Sequence, residues 1–459
     1  MRAMLSILLA LFVQSYSCSV NAAERPNIVL ILADDLGRND CGFMGGPVAT
    51  PHLDKLSAQG AKLDAFYVQP VCSPTRAALL TGRYPMRHGL QVGVVRPWAQ
   101  YGLPLEERTL AEAIRDAGYT TAIVGKWHLG HFRKEYLPTQ RGFDFQYGHY
   151  NGALDYDTHI RDGGHDWHRN DHASQDEGYS THLIGKEASK FVAEHAGKKP
   201  FFLYVPFNAV HSPFQVPEKY TQPYSELKGN RKTYAGMLAA MDEAVGEIVQ
   251  AVDKAGATQN TLFIFSSDNG GPAPGKVTDN GKYRAGKGTL YEGGVRVVAF
   301  ATYPGVIKAG ITVRQPMHIV DLYPTLIKLC GAKAEQKLPI DGLDIWPTLT
   351  EGKPSPHSAI LLNATPRSGS VRVGDWKLVV KAGEEDPDNP LSAPGEAESN
   401  ELFDLSSDPY EKNNLAEQQP QKLSELKKVL TDFAKQAVPP KSRPKPASFQ
   451  TPKVWGEPN

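Results

Sequence analysis

Short, uniformly apolar runs alternate along this chain with longer amphipathic ones. Asn27–Ala33 (NIVLILA), Thr120–Val124, Phe201–Pro206 (FFLYVP) and Thr261–Ser266 (TLFIFS) are of strand length and lack polar alternation, the pattern of strands buried on both faces. Helical periodicity fills the intervals at Pro51–Gly60, Glu106–Ala117, Ser180–His195 and Lys232–Ala255. Strands alternating with helices predict an α/β fold with a large, mostly parallel central sheet sandwiched by helices. Between about Gly142 and Gly178 the chain is rich in glycine and aromatic residues and reads as a loop.

A boundary is expected near Ile340–Pro356, separating a domain over residues 24–350 from a smaller C-terminal α+β subdomain over 351–438. In the latter, Ala359–Leu362, Ser370–Val373 and Trp376–Val380 read as an antiparallel sheet, followed by a long helix near Gln419–Ala437. Residues 439–459 are rich in proline and lysine and read as an extended tail.

Composition narrows the setting. Arg2, an apolar run from Met4 to Val13, and Val20-Asn21-Ala22-Ala23 read as a secretory signal over residues 1–23, cleaved near Ala22 or Ala23. A secreted or periplasmic location follows, and the apolar run is too short to span a membrane. Cys18 does not make a lipidation site, because Ser15 stands where the leucine of a lipobox belongs. The 459 residues carry 50 Lys and Arg against 50 Asp and Glu, well mixed, so nothing points to a nucleic-acid partner. Past the signal only Cys41, Cys72 and Cys330 remain, which is no disulfide scaffold; if Cys72 is modified, only Cys41 and Cys330 could pair. Asn363-Ala364-Thr365 fits a glycosylation acceptor in a eukaryotic host.

Two of the apolar runs end in acidic clusters, Asp34-Asp35 and Asp268-Asn269. Ligands of parallel sheets gather at the carboxyl ends of strands, and these hard oxygen donors suit calcium or magnesium rather than zinc.

The most specific stretch is Val71–Gly89, which contains Cys72-Ser73-Pro74-Thr75-Arg76 and then Leu80-Thr81-Gly82, a match to C-x-P-x-R-x-x-x-L-T-G. Pro74 is expected to break the chain before a helix over residues 75–80. Residue 72 would then lie near a helix N-terminus, where backbone N–H groups favour an anion. Gly125-Lys126-Trp127-His128-Leu129-Gly130 follows the second strand, His211 follows the third, and Lys287 lies in Arg284-Ala285-Gly286-Lys287-Gly288-Thr289-Leu290-Tyr291-Glu292-Gly293-Gly294. With these motifs the chain resembles the type I, formylglycine-dependent sulfatases of the alkaline phosphatase superfamily.

The resemblance implies a role for each residue. A formylglycine-generating maturation enzyme oxidises Cys72 to an aldehyde; one oxygen of its hydrate attacks sulfur and the other later expels sulfate. Asp34, Asp35, Asp268, Asn269 and modified residue 72 hold one divalent cation, usually calcium, acting as a Lewis acid. Lys126 and Lys287 bind sulfate oxygens and Arg76 binds the diol. His128 takes the diol proton, which suits an imidazole titrating near neutrality, and His211 protonates the leaving alcohol.

Within the family the similarity is greatest to the arylsulfatase B (N-acetylgalactosamine 4-sulfatase) branch. It rests on Phe132-Arg133-Lys134-Glu135, Leu137-Pro138-Thr139, Arg141-Gly142-Phe143-Asp144, Met241-Asp242-Glu243-Ala244-Val245-Gly246 and Trp346, and is lost after residue 355. It implies an exo-acting enzyme for sulfated galactose-type saccharides. The loop Tyr150–Asp171 carries Asp155, Tyr156, His159, His165, Asp166, Trp167 and His168, the polar and aromatic mix that binds sugars, and the first four are expected to contact substrate. Two rival readings are a phosphomonoester or phosphonate hydrolase of the same superfamily, and an inactive carbohydrate-binding homologue.

Overall fold

The strand Asn27–Ala33 is buried along its whole length, and its side chains divide between two cores. Ile28, Leu30 and Leu32 enter a cluster with the helices Cys72–Thr81, Leu110–Asp116 and Leu322–Leu329. Val29, Ile31 and Ala33 enter a second cluster with the helices Ser180–His195 and Gly229–Lys254. Successive strand side chains point to opposite faces, so an unbroken apolar run is what a strand covered by helices on both sides requires. Each fully buried Val, Leu or Ile contributes roughly 1.5–3 kcal/mol relative to exposure. The computed structural model describes residues 25–333, 336–366, 368–381 and 399–457; the expected signal segment, with Cys18, lies outside the described residues.

The central sheet has ten strands. Its middle is parallel, in the order Thr261–Ser267, Asn27–Ala33, Phe201–Pro206, Thr120–Lys126 and Phe145–His149. Beyond Thr261–Ser267 come Ala299–Thr302, antiparallel, then Ala61–Leu63 and Ile311–Val313; His168–Arg169 and His172–Ala173 extend the opposite edge. Phe145–His149 and the last two strands fall inside the stretch expected to be a loop, because paired glycines hide the strand signal. A Cβ on Gly148 would lie 2.2 Å from the Gly125 carbonyl oxygen, and one on Gly125 would lie 2.0 Å from that of Pro206. Glycine lets three strands close up just below Lys126.

On one face, Ser180–His195 and Gly229–Lys254 pack closely, with a Cβ on Gly185 falling 2.7 Å from Ala244 Cβ. The C-terminal antiparallel sheet runs Ile360–Ala364, Gly369–Val373, Trp376–Lys381, Ser399–Asp404, covered by the helix Pro420–Ala434. Leu361, Val371, Leu378 and Leu402 join the same apolar cluster as Leu30, so the two parts share a core. Two points that the sequence left open are answered here. Asn363 is 1% exposed and donates Nδ2–H to the Gln91 carbonyl, which leaves no room for a glycan. Cys41 and Cys330 are free and belong to the clusters on opposite faces of the sheet. The tail, which has no helix or strand among its described residues, returns to the first domain: Lys441 N–H donates to Gly89, and Trp455, 2% exposed, packs beside His131.

Candidate active site

Four parallel strands end at one edge of the sheet, and the residues just beyond them converge there. Ala33 leads into Asp34 and Asp35, Ser267 into Asp268 and Asn269, Thr120–Lys126 into His128, and Phe201–Pro206 into His211. Backbone bonds hold these ends in step: Asp34 N–H to Ala209, Val210 N–H to Asp34, and Asp268 N–H to Ala33. Cys72 arrives from the helix Cys72–Thr81, all of whose residues are buried. The helix begins at Cys72 itself, so Pro74 lies within its first turn rather than before it, where its missing N–H would have had no partner anyway.

Ligand atoms of Asp34, Asp35, Cys72 and His211 all lie within 4.8 Å of one another. The cations sit among them. Lys126 Nζ donates to Asp34 Oδ2, and Lys287 Nζ donates to Asp35 at 2.8 Å. Arg76 donates through Nε and Nη2 to Asp268 Oδ2 at 3.2 and 2.8 Å and through Nη1 to the Lys126 carbonyl at 3.0 Å. Its guanidinium thus joins the helix to two strand ends. Asn269 Nδ2 donates to Asp35 Oδ1 at 2.7 Å.

Burial pushes Asp35 up, but Lys287 and His211 outweigh it and hold the carboxyl at about 2. Burial and the charge of Asp34 push Asp268 up to about 6 despite Arg76. Burial raises the Cys72 thiol to about 12 against the pull of Lys126 and Lys287, so the unmodified side chain is a thiol and a weak nucleophile.

Burial and the neighbouring cations push both histidines toward the neutral form. His128 does not titrate near neutrality: burial, then Lys126 and Arg76, push it well below 6.5. Its Nε2 faces the Val95 carbonyl at 3.1 Å, which assigns the proton to Nε2 and leaves Nδ1, buried and unpartnered, as the basic atom. Burial and Lys287 bring His211 down to about 3. Its Nδ1 faces the Ser212 carbonyl at 2.6 Å, leaving Nε2 beside Asp35 Oδ2 at 3.6 Å.

The donor set fits a hard divalent cation. Asp34 Oδ1 and Asn269 Oδ1 are buried oxygens without a hydrogen-bond partner, next to the carboxylates of Asp35 and Asp268. Asp34, Asp35 and Asp268 are balanced by Arg76, Lys126 and Lys287, so a bound dication leaves the cluster positive and attractive to an anion.

Above the cluster opens a cavity of about 330 Å³ that includes Cys72, His128, His211 and Lys287. One wall, Gly152, Ala153 and Arg161, comes from the loop Tyr150–Asp171 that the sequence singled out, and the other, residues 94–97, from a segment that it did not. Val95 N–H donates to Ser73 Oγ at 3.0 Å, and Ser73 Oγ–H to the His128 carbonyl at 2.9 Å, tying one wall to the helix start. Gly152 lies so close to His128 that a Cβ would fall 2.4 Å from its ring.

None of the four loop residues expected to contact sugar lines this cavity. Asp155 accepts Thr158 N–H at 2.8 Å and Gln215 Nε2–H at 2.6 Å. Tyr156 is buried and donates to the carbonyls of Asn208 and His211, so it shapes the loop carrying His211. His159 is buried and stacked on Trp167 at 4.5 Å. His165 reaches the Ser174 carbonyl at 2.8 Å and pairs its backbone with the tail.

Known proteins are similar to this chain. The family model Sulfatase matches residues 26–332. Arylsulfatase J of Mus musculus is 38% identical over 92% of this chain and 78% of its own length. N-acetylgalactosamine-6-sulfatase of Rattus norvegicus is 37% identical over 73% and 67%. The solved structure of Ps i-CgsB in complex with k-i-k-neocarrahexaose superposes with a TM-score of 0.81 at 30% identity, covering 95% of both chains. With Cys72, both lysines, both histidines and the strand-end acids gathered in one pocket, the chain belongs to the sulfatase family of sulfuric ester hydrolases.

Proposed function

We propose that this protein is an exported hydrolase that removes sulfate from a galactose- or N-acetylgalactosamine-type sugar of a sulfated saccharide, at a site made of a formylglycine derived from Cys72 and one calcium ion. The observation that carries the reading is the convergence of Asp34, Asp35, Cys72 and His211 within 4.8 Å, ringed by Lys126 and Lys287. The sugar class rests on the names of the relatives and on the carrageenan-type ligand of the solved structure. The 4-O position and exo action rest on the arylsulfatase B resemblance.

Asp34, Asp35, Asp268 and Asn269 would hold the calcium together with residue 72. Bound, the two groups supply a hydrated aldehyde as nucleophile and a Lewis acid beside the sulfate. The chain's own residues do the rest. Lys126 and Lys287 neutralise the ligand carboxylates and present their ammonium charges to sulfate once those carboxylates are shared with a cation. His128, neutral with Nδ1 open, accepts a proton at the cavity floor. His211 Nε2 lies at the mouth, where a bound anion offsets the two lysines that keep it neutral and favours the protonated form needed to donate to a leaving alcohol.

Matured protein is tested on galactose and N-acetylgalactosamine mono- and disulfates and on the matching phosphate esters, with calcium and with a chelator. Calcium-dependent sulfate release with little phosphate release is expected, together with a calcium-induced rise in Tm that Asp34→Asn removes. Preferential phosphate release would favour a phosphoesterase; saccharide binding without any ester cleavage would favour an inactive lectin-like homologue.

A further inference from the structure

Two cations besides Lys287 line the cavity above Cys72: Arg96 from one wall and Arg161 from the other. Most buried arginines of this fold brace the structure. Arg38 and Arg296 hold Asp64, Arg76 holds Asp268, and Arg141 caps the carbonyls of Leu103 and Glu107. Arg96 has no carboxylate partner among the described residues, only the Trp98 ring 5.8 Å from its guanidinium carbon. Arg161 Nε lies 3.4 Å from Oδ2 of its own neighbour Asp162, in a largely solvent-accessible ion pair of little energetic value that does not have the geometry of a hydrogen bond.

Both positions are nonetheless held firmly. Arg96 follows Val95, whose backbone is bonded to Ser73 and to the His128 ring. Arg161 lies in the hairpin Ile160–Arg161 and Gly164–His165, clamped by the tail: Trp455 donates Nε1–H to the Arg161 carbonyl and its backbone N–H to that of His165, each at 2.9 Å. On the other wall Trp98 donates Nε1–H to the Arg443 carbonyl at 3.1 Å. The tail therefore runs from one arginine-bearing wall to the other.

We propose that Arg96 and Arg161 form a second anion subsite at the mouth of the sulfate pocket. It takes a further sulfate or carboxylate on the ring bearing the scissile ester or on its neighbour. This rests on the reading of the Cys72 pocket as a sulfate site. Lys287 is paired with Asp35 and Arg161 only loosely with Asp162, whereas Arg96 adds a charge that no carboxylate meets among the described residues, so with a bound dication the cavity carries more positive charge than one ester sulfate of charge minus one neutralises. A second anion on the substrate reduces that excess, and a guanidinium matches the paired oxygens of sulfate or carboxylate.

The test uses matured wild type, Arg96→Ala, Arg161→Ala and the double variant. The substrates are N-acetylgalactosamine 4-sulfate, 6-sulfate and 4,6-disulfate, and disaccharides in which glucuronate adjoins either monosulfate. Wild type is expected to prefer a dianionic sugar, and the double variant to lose about tenfold or more of that preference, mainly through KM, with Lys replacements restoring part of it. Whether the disulfate or the glucuronate preference collapses identifies the second group. A wild type without preference, or variants that lose activity equally on monoanionic and dianionic sugars, would overturn the proposal. If wild type releases sulfate from none of them, the sulfatase reading fails instead. Binding of the disulfate to the Cys72→Ala protein then decides the subsite, weakened about tenfold by the double substitution if it exists and unchanged if it does not.

Discussion

The floor of the pocket and the loop Tyr150–Asp171 have similar compositions and different jobs. Both are dense in aspartate and histidine. On the floor these groups follow directly from buried parallel strands and converge, with ligand atoms of Asp34, Asp35, Cys72 and His211 within 4.8 Å of one another and the carboxylates paired with Lys126, Lys287 and Arg76. In the loop, Asp166 accepts the N–H groups of Tyr150 and Asn151, Asp155 caps a turn, and Tyr156 braces the His211 segment. The difference teaches that position relative to a strand end, more than residue type, separates a group kept for a ligand from one that builds a loop.

The sharpest way to break the comparison is at Arg76. Arg76→Met leaves Asp268 buried without its guanidinium, and a loss of about 3–5 kcal/mol is expected, seen as a lower denaturant midpoint. A midpoint within error of wild type would mean the floor is not held by this pair. Next comes Lys126→Ala, expected to lower kcat about 10²–10³-fold while the fold persists; a drop under about threefold would remove Lys126 from the chemistry. In the loop, Asp155→Ala should cost roughly 1 kcal/mol of stability through its lost turn bonds. Its effect on kcat should be far smaller than that of Lys126→Ala; a comparable drop would return Asp155 to the sugar site.

A further prediction concerns pH. His88 is buried beside the tail, and burial, Arg83 and Lys441 bring it down to about 3. The unfolded chain therefore binds a proton that the folded one does not between about pH 6.5 and 3. Stability from this group is whole above 6.5 and is lost as pH falls, by at most about 1.4 kcal/mol per pH unit. His88→Gln should flatten the fall of Tm on acidification; an unchanged slope would show that His88 is not what titrates.

Sequence reading reached the parts that periodicity and strand ends encode. NIVLILA, FFLYVP and TLFIFS are central strands, Ser180–His195 is a helix with those bounds, and the acidic clusters meet where a parallel sheet gathers ligands. It did not reach Phe145–His149 or Ala299–Thr302, which are short and rich in glycine or alanine. It placed the loop Tyr150–Asp171 at the cleft but did not reach the other wall, where Ser73, Val95 and His128 meet only through the fold, nor the hold of Trp455 on Arg161. The expected near-neutral His128 failed because burial among cations cannot be seen in a motif.

The central claim is that residue 72 works as a converted cysteine, and one comparison addresses it directly. Protein is produced with and without a formylglycine-generating enzyme, the peptide containing residue 72 is weighed by mass spectrometry, and sulfate release is measured on the same two samples in calcium. Turnover should follow the aldehyde fraction and vanish in the sample that keeps the thiol. Equal turnover by thiol-bearing protein would contradict the account.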